Sequence, residues 1–297
     1  MYDRQWSETA VVPIGTDQFA VSSIGEINFL VNDERHRRNL QMAIRLVASD
    51  IDGTLLQNGA VQLENDIFDE IRRLRDRGIQ FCPASGRQYH SLRKLFEPVA
   101  DDVVFLCENG ALAFQNGRVL FKRAMDHNLC RDLVHDILSI EGCEVLISGE
   151  NISYLMPRGD QIVDLIKNFT GNNVRIVRSF DEIPEEIVKV SAFHPDGTEL
   201  PVKMLQNPWA RRFRAAVAGR EWYDFTLADK GTGIAEVCRS LGISLSETAA
   251  FGDNYNDVPM LDSVGLPYIM DGAADELKEK YSHHAQNVPD TLRKIIP

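Results

Sequence analysis

From residue 43 onward the chain alternates short apolar runs with amphipathic stripes of helical period, and few architectures accept that alternation. Ile44-Arg45-Leu46-Val47-Ala48, Ile79-Gln80-Phe81-Cys82 and Val103-Val104-Phe105-Leu106-Cys107 read as buried strands. Between the first two, Ile67, Ile71 and Leu74 fall at i, i+4 and i+7 ahead of Gly78, a suitable residue just past a helix end. A second stripe, Ile234, Val237, Cys238 and Leu241, closes at Gly242, and Thr248-Ala249-Ala250-Phe251 then runs into Gly252-Asp253. Short apolar strands interleaved with helices predict a Rossmann-like, doubly wound α/β core, its parallel sheet covered on both faces. In such sheets chemistry gathers at the carboxyl ends of the strands.

Two stretches depart from the pattern. Residues 125–225 hold mixed segments, among them Glu144-Val145-Leu146-Ile147 and Ile187-Val188-Lys189-Val190-Ser191-Ala192, and five prolines at 157, 184, 195, 201 and 208. Roughly a hundred residues suffice for a small inserted α/β domain. The expected organisation is therefore a core from 43–124 and 226–297, with an inserted cap at 125–225. Residues 1–42 are polar, without sustained period, and end in the charged cluster Asp33-Glu34-Arg35-His36-Arg37-Arg38. Two readings stand: Met42 starts the native protein, or the leader is a weakly ordered extension. An intact mass separates them.

Composition narrows the partners. With 44% hydrophobic, 26% charged and 8% aromatic residues, the chain is neither disordered nor fibrous as a whole. Lys and Arg number 32 against 44 Asp and Glu, a formal charge of -12. So acidic a surface repels nucleic acid and anionic membranes, and an anionic ligand needs a local metal ion, lysine or helix N-terminus. The five cysteines have no Cys-x-x-Cys spacing and an odd count, and read as buried apolar residues. No stretch approaches about 18 uninterrupted apolar residues, and no basic region precedes an apolar run at the N-terminus. The expected compartment is the cytoplasm.

Four segments can carry chemistry. Ser49-Asp50-Ile51-Asp52-Gly53-Thr54 follows the first strand; beyond a strand end, Gly53 lets a tight turn aim both carboxylates at one point. A bare Asp-x-Asp is more often a polar turn. A calcium loop needs Gly and Glu at its sixth and twelfth positions, where counting from Asp50 finds Leu55 and Val61. Gly252-Asp253-Asn254-Tyr255-Asn256-Asp257 repeats the arrangement after a later strand; alone it is also a polar turn before Pro259. Pro83-Ala84-Ser85-Gly86-Arg87 places Ser85 either as a helix N-cap or as a donor to an anion. Asp229-Lys230-Gly231-Thr232-Gly233 opens a helix with the order Lys-Gly, which is not a Walker loop, and a lysine there is commonly a solvated one. All four lie where a doubly wound sheet brings loops into one crevice, whose hard oxygen ligands suit Mg2+.

In order, Asp50-Ile51-Asp52-Gly53-Thr54-Leu55, Ser85-Gly86-Arg87, Lys230-Gly231 and Gly252-Asp253-x-x-Asn256-Asp257 resemble the four motifs of haloacid dehalogenase-superfamily phosphatases. Glu108-Asn109-Gly110-Ala111 and the insertion between motifs two and three resemble the Cof-like branch with its type-II cap, over about residues 43–280. The resemblance implies an enzyme, a phosphoric monoester hydrolase acting on a small phosphorylated metabolite such as a sugar phosphate or phosphorylated cofactor. It implies Asp50 as nucleophile forming an aspartyl-phosphate, and Asp52 as general acid and then base, kept partly protonated by burial or neighbouring charge. It implies Mg2+ held by Asp50, the Asp52 carbonyl and Asp253. Phosphate would meet Thr54, Ser85, Gly86, Lys230 and Asn256, with Asp257 orienting Lys230.

Two segments depart from the family pattern: Ile269-Met270-Asp271-Gly272-Ala273 and Asn287-Val288-Pro289-Asp290. Neither removes a catalytic group. A phosphotransferase or mutase would use the same aspartyl-phosphate, and a non-catalytic binding module is the remaining alternative. Specificity is expected from cap side chains, with Arg158, Lys189, His194 and Trp222 as candidates and Arg87 and Asn109 close to the site.

Overall fold

The computed structural model describes residues 44–169 and 171–296, so both readings of residues 1–42 lie outside the described residues. In chain order the strands are β1 (Leu46–Ser49), β2 (Gln80–Pro83), β3 (Val104–Cys107), β4 (Leu112–Gln115), β5 (Arg118–Lys122), β6 (Glu144–Ser148), β7 (Ser153–Leu155), β8 (Val174–Ile176), β9 (Lys189–Phe193), β10 (Arg214–Ala218), β11 (Trp222–Thr226), β12 (Thr248–Gly252), β13 (Leu266–Met270) and β14 (His284–Ala285).

Five of them form a wholly parallel sheet in the order β14-β13-β12-β1-β2. Single bridges, Phe81 to Val103 and Ala84 to Leu106, align β3 beside β2. Successive side chains of a strand point to opposite faces, and each face here is dry. Val47, Phe81, Phe105 and Phe251 pack with Ile67, Ile71 and Leu74 of the helix Asn65–Asp76 on one side. Leu46, Ala48, Leu106 and Ala250 pack with Ile234, Val237 and Cys238 of the helix Lys230–Leu241 on the other. Each large aliphatic or aromatic side chain so buried contributes about 1.5–3 kcal/mol. This is the doubly wound core that the alternation predicts.

Between β5 and the helix Lys230–Leu241 the chain builds a second sheet of six strands, in the order β10-β11-β9-β6-β7-β8. Its pairs are antiparallel except β7 with β8. Val145, Ile147, Val190, Ala192, Tyr223 and Phe225 project to one face and bury against the helices His127–Ser139 and Glu199–Trp209. The opposite face carries Ser148, Lys189, Ser191 and Asp224, all buried as well. A polar sheet face without exposure needs something to lie over, and here it roofs the carboxyl ends of the core strands. Among the described residues no helix is long and apolar enough to cross a membrane.

Candidate active site

The hydrogen-bond ladder of β1 runs one residue past the strand, where Asp50 N–H donates to Phe251 O at 2.9 Å. The chain then turns sharply, with Ile51 O accepting from the N–H groups of Thr54, Leu55 and Leu56. Gly53 sits in this turn at φ +97°, and a Cβ there would fall 2.2 Å from an Asp253 carboxylate oxygen. Only glycine admits both the backbone and the neighbour.

Lys230 enters from the first turn of its helix, which is anchored by reciprocal bonds between Asp229 and Thr232. Its side chain is 1% exposed, and Nζ donates to Asp50 Oδ1 and Asp257 Oδ1, each at 2.5 Å. The second oxygen of Asp257 accepts from the N–H groups of Asp253 and Asn254, both at 3.0 Å, which shapes the loop after β12. Burial opposes the Lys230 ammonium, but the Asp257 and Asp50 carboxylates outweigh it and hold the group well above the ordinary lysine range. Burial, then repulsion from Asp257, raises the Asp50 carboxyl well above its ordinary value, with Lys230 opposing.

Carboxylate oxygens of Asp50, Asp253 and Asp257 all lie within 4.8 Å of one another. Three carboxylates face one ammonium, so the donor set fits a divalent cation that takes hard oxygen ligands. Thr54, expected to meet phosphate, instead donates its hydroxyl to Asp253 Oδ1 at 2.8 Å, and its N–H bonds Ile51 O. Its geometry orients an acid.

Asp52 also departs from expectation. Its side chain is 58% exposed rather than buried, and both oxygens accept from Arg87: Nε to Oδ2 at 3.0 Å and Nη2 to Oδ1 at 2.5 Å. The turn after Gly53 throws position 52 outward, toward the loop that follows β2. Ser85 on that loop is buried, and its Oγ accepts from Arg87 N–H at 3.2 Å. It is not an N-cap, for the next helix begins at Tyr89 with Gln88 before it. Gly86 approaches Asn109 so closely that a Cβ would lie 2.8 Å from Asn109 Oδ1.

These loops open into one cavity of about 590 Å³, lined by Asp50, Asp52, Ser85, Gly86, Arg87 and Asn256 below and by the polar cap face above. Glu108 and Asn109 reach it through left-handed backbone, φ +51° and +56°, a conformation costly for residues with side chains. Glu108 Oε2 lies 2.6 Å from Lys189 Nζ, which also donates to Gly86 O at 2.9 Å. Burial pushes the Glu108 carboxyl up, against the pull of Lys189. Asn109 Nδ2 donates to Asp224 Oδ2 at 2.8 Å. Of the four cap candidates, Lys189 and Trp222 line this cavity, whereas Arg158 donates its backbone N–H to Glu144 and its guanidinium to Leu138 O and Ile140 O, and His194 accepts from Asp196 N–H. Ser148, Ser191 and Asp224 escaped sequence reasoning, although the alternation in Lys189-Val190-Ser191-Ala192 already set serine and lysine on a common face.

The fold and the site together define a particular build: a doubly wound, Rossmann-like α/β core with an inserted cap over strand-end aspartates. The chain belongs to the haloacid dehalogenase-like hydrolase family, whose sequence profile matches residues 47–291, and within it to the Cof-like phosphatases, which are phosphoric monoester hydrolases. It is 25% identical over 263 residues to the 5-amino-6-(5-phospho-D-ribitylamino)uracil phosphatase YbjI of Escherichia coli, covering 86% of this chain and 97% of that protein. An HMP-PP phosphatase of Citrobacter koseri is 28% identical over 252 residues, covering 80% and 88%. A crystal structure from Eubacterium rectale superposes with a TM-score of 0.75 at 28% identity, covering 85% of this chain and 99% of that one.

Proposed function

We propose that the chain is a Mg2+-dependent phosphatase that hydrolyses the monoester of a small phosphorylated metabolite through an aspartyl-phosphate on Asp50. The observation that carries the reading is Lys230, fully buried yet paired with Asp50 and Asp257 beside Asp253. A buried ammonium among strand-end acids is expensive to maintain unless an anion is to be handled there.

In this reading an Asp50 oxygen attacks phosphorus as the ester oxygen departs, and Lys230 fixes the orientation of that carboxylate. Asp52 gives its proton to the departing alcohol and then takes one from the water that cleaves the acyl phosphate, which restores Asp50 and releases phosphate. Arg87 holds the Asp52 carboxylate at the mouth of the cavity, and Asp52 takes its proton from solvent there as it leaves that fork to act as the acid. Ser85, Lys230 and Asn256 bind the phosphoryl oxygens, while Asp257 keeps Lys230 in place. Asp50, Asp253 and the Asp52 carbonyl would hold Mg2+, whose charge offsets the repulsion between carboxylate and phosphate. The related phosphatases, one named for a ribityl phosphate and one for HMP-PP, support a small metabolite as substrate.

The test is phosphate release from p-nitrophenyl phosphate and a sugar phosphate panel, with and without Mg2+. Asp50→Asn is expected to lose at least about a thousandfold in kcat with its fold intact. Turnover persisting in a rigorously purified variant would refute the nucleophile. Formation of an isomeric sugar phosphate without phosphate release would replace hydrolysis by transfer.

A further inference from the structure

The turn Glu108-Asn109-Gly110 holds three successive residues in left-handed backbone, at φ +51°, +56° and +95°. Gly110 admits no side chain: a Cβ there would lie 2.1 Å from Asp229 O, and one on Gly233 would lie 2.6 Å from Gly110 Cα. The turn is therefore wedged against the N-terminus of the helix that carries Lys230. Glycine and asparagine visit this backbone region readily, but a glutamate seldom does. Such a conformation persists only where the surroundings over-determine it.

The surroundings here are the loop after β2. Its three consecutive carbonyls each accept from one donor: Ser85 O from Asn109 N–H at 3.1 Å, Gly86 O from Lys189 Nζ at 2.9 Å and Arg87 O from Glu108 N–H at 3.2 Å. The N–H of a trans peptide points opposite to its C=O. Fixing these carbonyls therefore also fixes the N–H groups of Gly86, Arg87 and Gln88. That of Arg87 meets Ser85 Oγ at 3.2 Å, and Ser85, Gly86 and Gln88 all line the cavity.

Lys189 closes the arrangement from the cap. Its side chain is 7% exposed, and its ammonium is spent on protein groups: Glu108 Oε2 at 2.6 Å, Gly86 O, and Asp224 at 3.7 Å. Asp224 in turn accepts from Asn109 Nδ2 at 2.8 Å. A lysine tied in this way to a backbone carbonyl orients a loop rather than a ligand.

We propose that Glu108, Asn109 and Lys189 are positioning residues for phosphoryl transfer, which hold the Ser85 hydroxyl and the loop N–H groups in line with the phosphoryl oxygens without touching the substrate. The proposal rests on the phosphatase reading and adds what aligns its phosphate-binding loop. Because the three residues act through backbone carbonyls, the identity of the departing group is immaterial to them. The phosphoryl group moves from the leaving oxygen towards Asp50 during the reaction. A loop out of line therefore loses more in the transition state than in the bound substrate.

The experiment measures kcat and KM of the full chain with Mg2+ for p-nitrophenyl phosphate and acetyl phosphate, and inhibition constants for inorganic phosphate and orthovanadate. Lys189→Met is expected to lower kcat at least about thirtyfold on both compounds, by factors that agree to within about threefold, with KM changed less than about threefold. Its inhibition constant for orthovanadate, which mimics the transition state, is expected to rise at least about tenfold, and that for phosphate less than about threefold. Removing Lys189 strands the Glu108 carboxylate, so Lys189→Met/Glu108→Gln guards against misfolding. That variant is expected to regain Tm relative to Lys189→Met while keeping the loss of kcat. Wild-type kcat in the double variant would make the cluster structural only and overturn the proposal. So would a loss on p-nitrophenyl phosphate that is absent on acetyl phosphate, which would set Lys189 against the departing group. Wild-type protein that hydrolyses neither compound would overturn the phosphatase reading, and the proposal with it.

Discussion

Arg87 lays both prongs of its guanidinium on the carboxylate of Asp52, at 3.0 and 2.5 Å, joining the loop after β1 to the loop after β2. The fork matches a carboxylate in a way no ammonium can. With side chains 32% and 58% exposed, the pair adds about 1 kcal/mol or less to stability. Its effect is on orientation at the mouth of the cavity. Arg87→Lys keeps the charge and loses the fork, so kcat is expected to fall about tenfold, while Tm stays within about 4 °C of wild type. Phosphate-release kinetics and calorimetry on one preparation check this; a large drop in Tm with unchanged kcat would make the pair structural only.

Lys230 gives the opposite balance. Its ammonium is the cation between two buried acids, Asp50 and Asp257. Removing one partner of a buried ionic cluster strands the rest, at about 3–5 kcal/mol. Lys230→Met is therefore expected to lower Tm by about 6–20 °C and to abolish phosphate release. The double variant Lys230→Met/Asp257→Asn also removes a stranded carboxylate, and is expected to regain much of that Tm without regaining activity. Recovery of turnover in the double variant would show that Lys230 only balances charge.

Element order and the position of the acids were readable from the chain because both follow local rules. Asp50 and Asp253 stand one step past apolar runs, and a parallel sheet carries such positions to one edge wherever the rest of the chain goes. What one stretch of chain does with a distant one is not a local property. Thr54 lies next to the acids in sequence, yet its hydroxyl turns to Asp253, 199 positions away, and Asp52 swings outward to Arg87. The cap face was hidden for another reason. Alternation tells that Lys189 and Ser191 share a side of β9, but in an ordinary half-exposed sheet the polar side meets water. Only packing against the core turns that side into the roof of a cavity.

The thiols supply a pH test of the fold. All five cysteines are free and buried. Burial, reinforced by Asp126, pushes the Cys130 thiol up to about 12, and burial pushes Cys143 to about 11 against the pull of Arg158. A thiol whose folded pKa is raised contributes stability in full below its unfolded value, about 8.5, and loses it as pH rises through the folded value. Native protein at pH 8 is therefore expected to resist a thiol-specific reagent for hours, with all five thiols reacting after denaturation. Tm is expected to fall between pH 8.5 and 10.5, and less steeply in Cys130→Ala/Cys143→Ala. Rapid labelling of the native chain at pH 8 would show that these segments open to solvent.

The charge count in the acid cluster leads to a calorimetric test of the metal. Asp50, Asp253 and Asp257 bring three carboxylates within 4.8 Å of one another against the single ammonium of Lys230. Chelator-treated protein holds this excess negative charge in a buried place, so Asp50→Asn, which deletes one charge and keeps the shape, is expected to raise Tm of the metal-free protein. Mg2+, as proposed, is expected to relieve the same excess in the wild type. At a concentration of 100 times its dissociation constant it adds about 2.7 kcal/mol, which for a chain of this size is a rise of about 5–11 °C. In Asp50→Asn the ion loses a ligand as well as part of the charge it balances, and the rise is expected to shrink by at least half. Calorimetric scans of both proteins with chelator and with Mg2+ separate the cases. Equal shifts in wild type and variant would place the ion away from Asp50, and a metal-free variant less stable than wild type would mean that the Asp50–Lys230 pair stabilises the fold by more than the crowded carboxylates cost it.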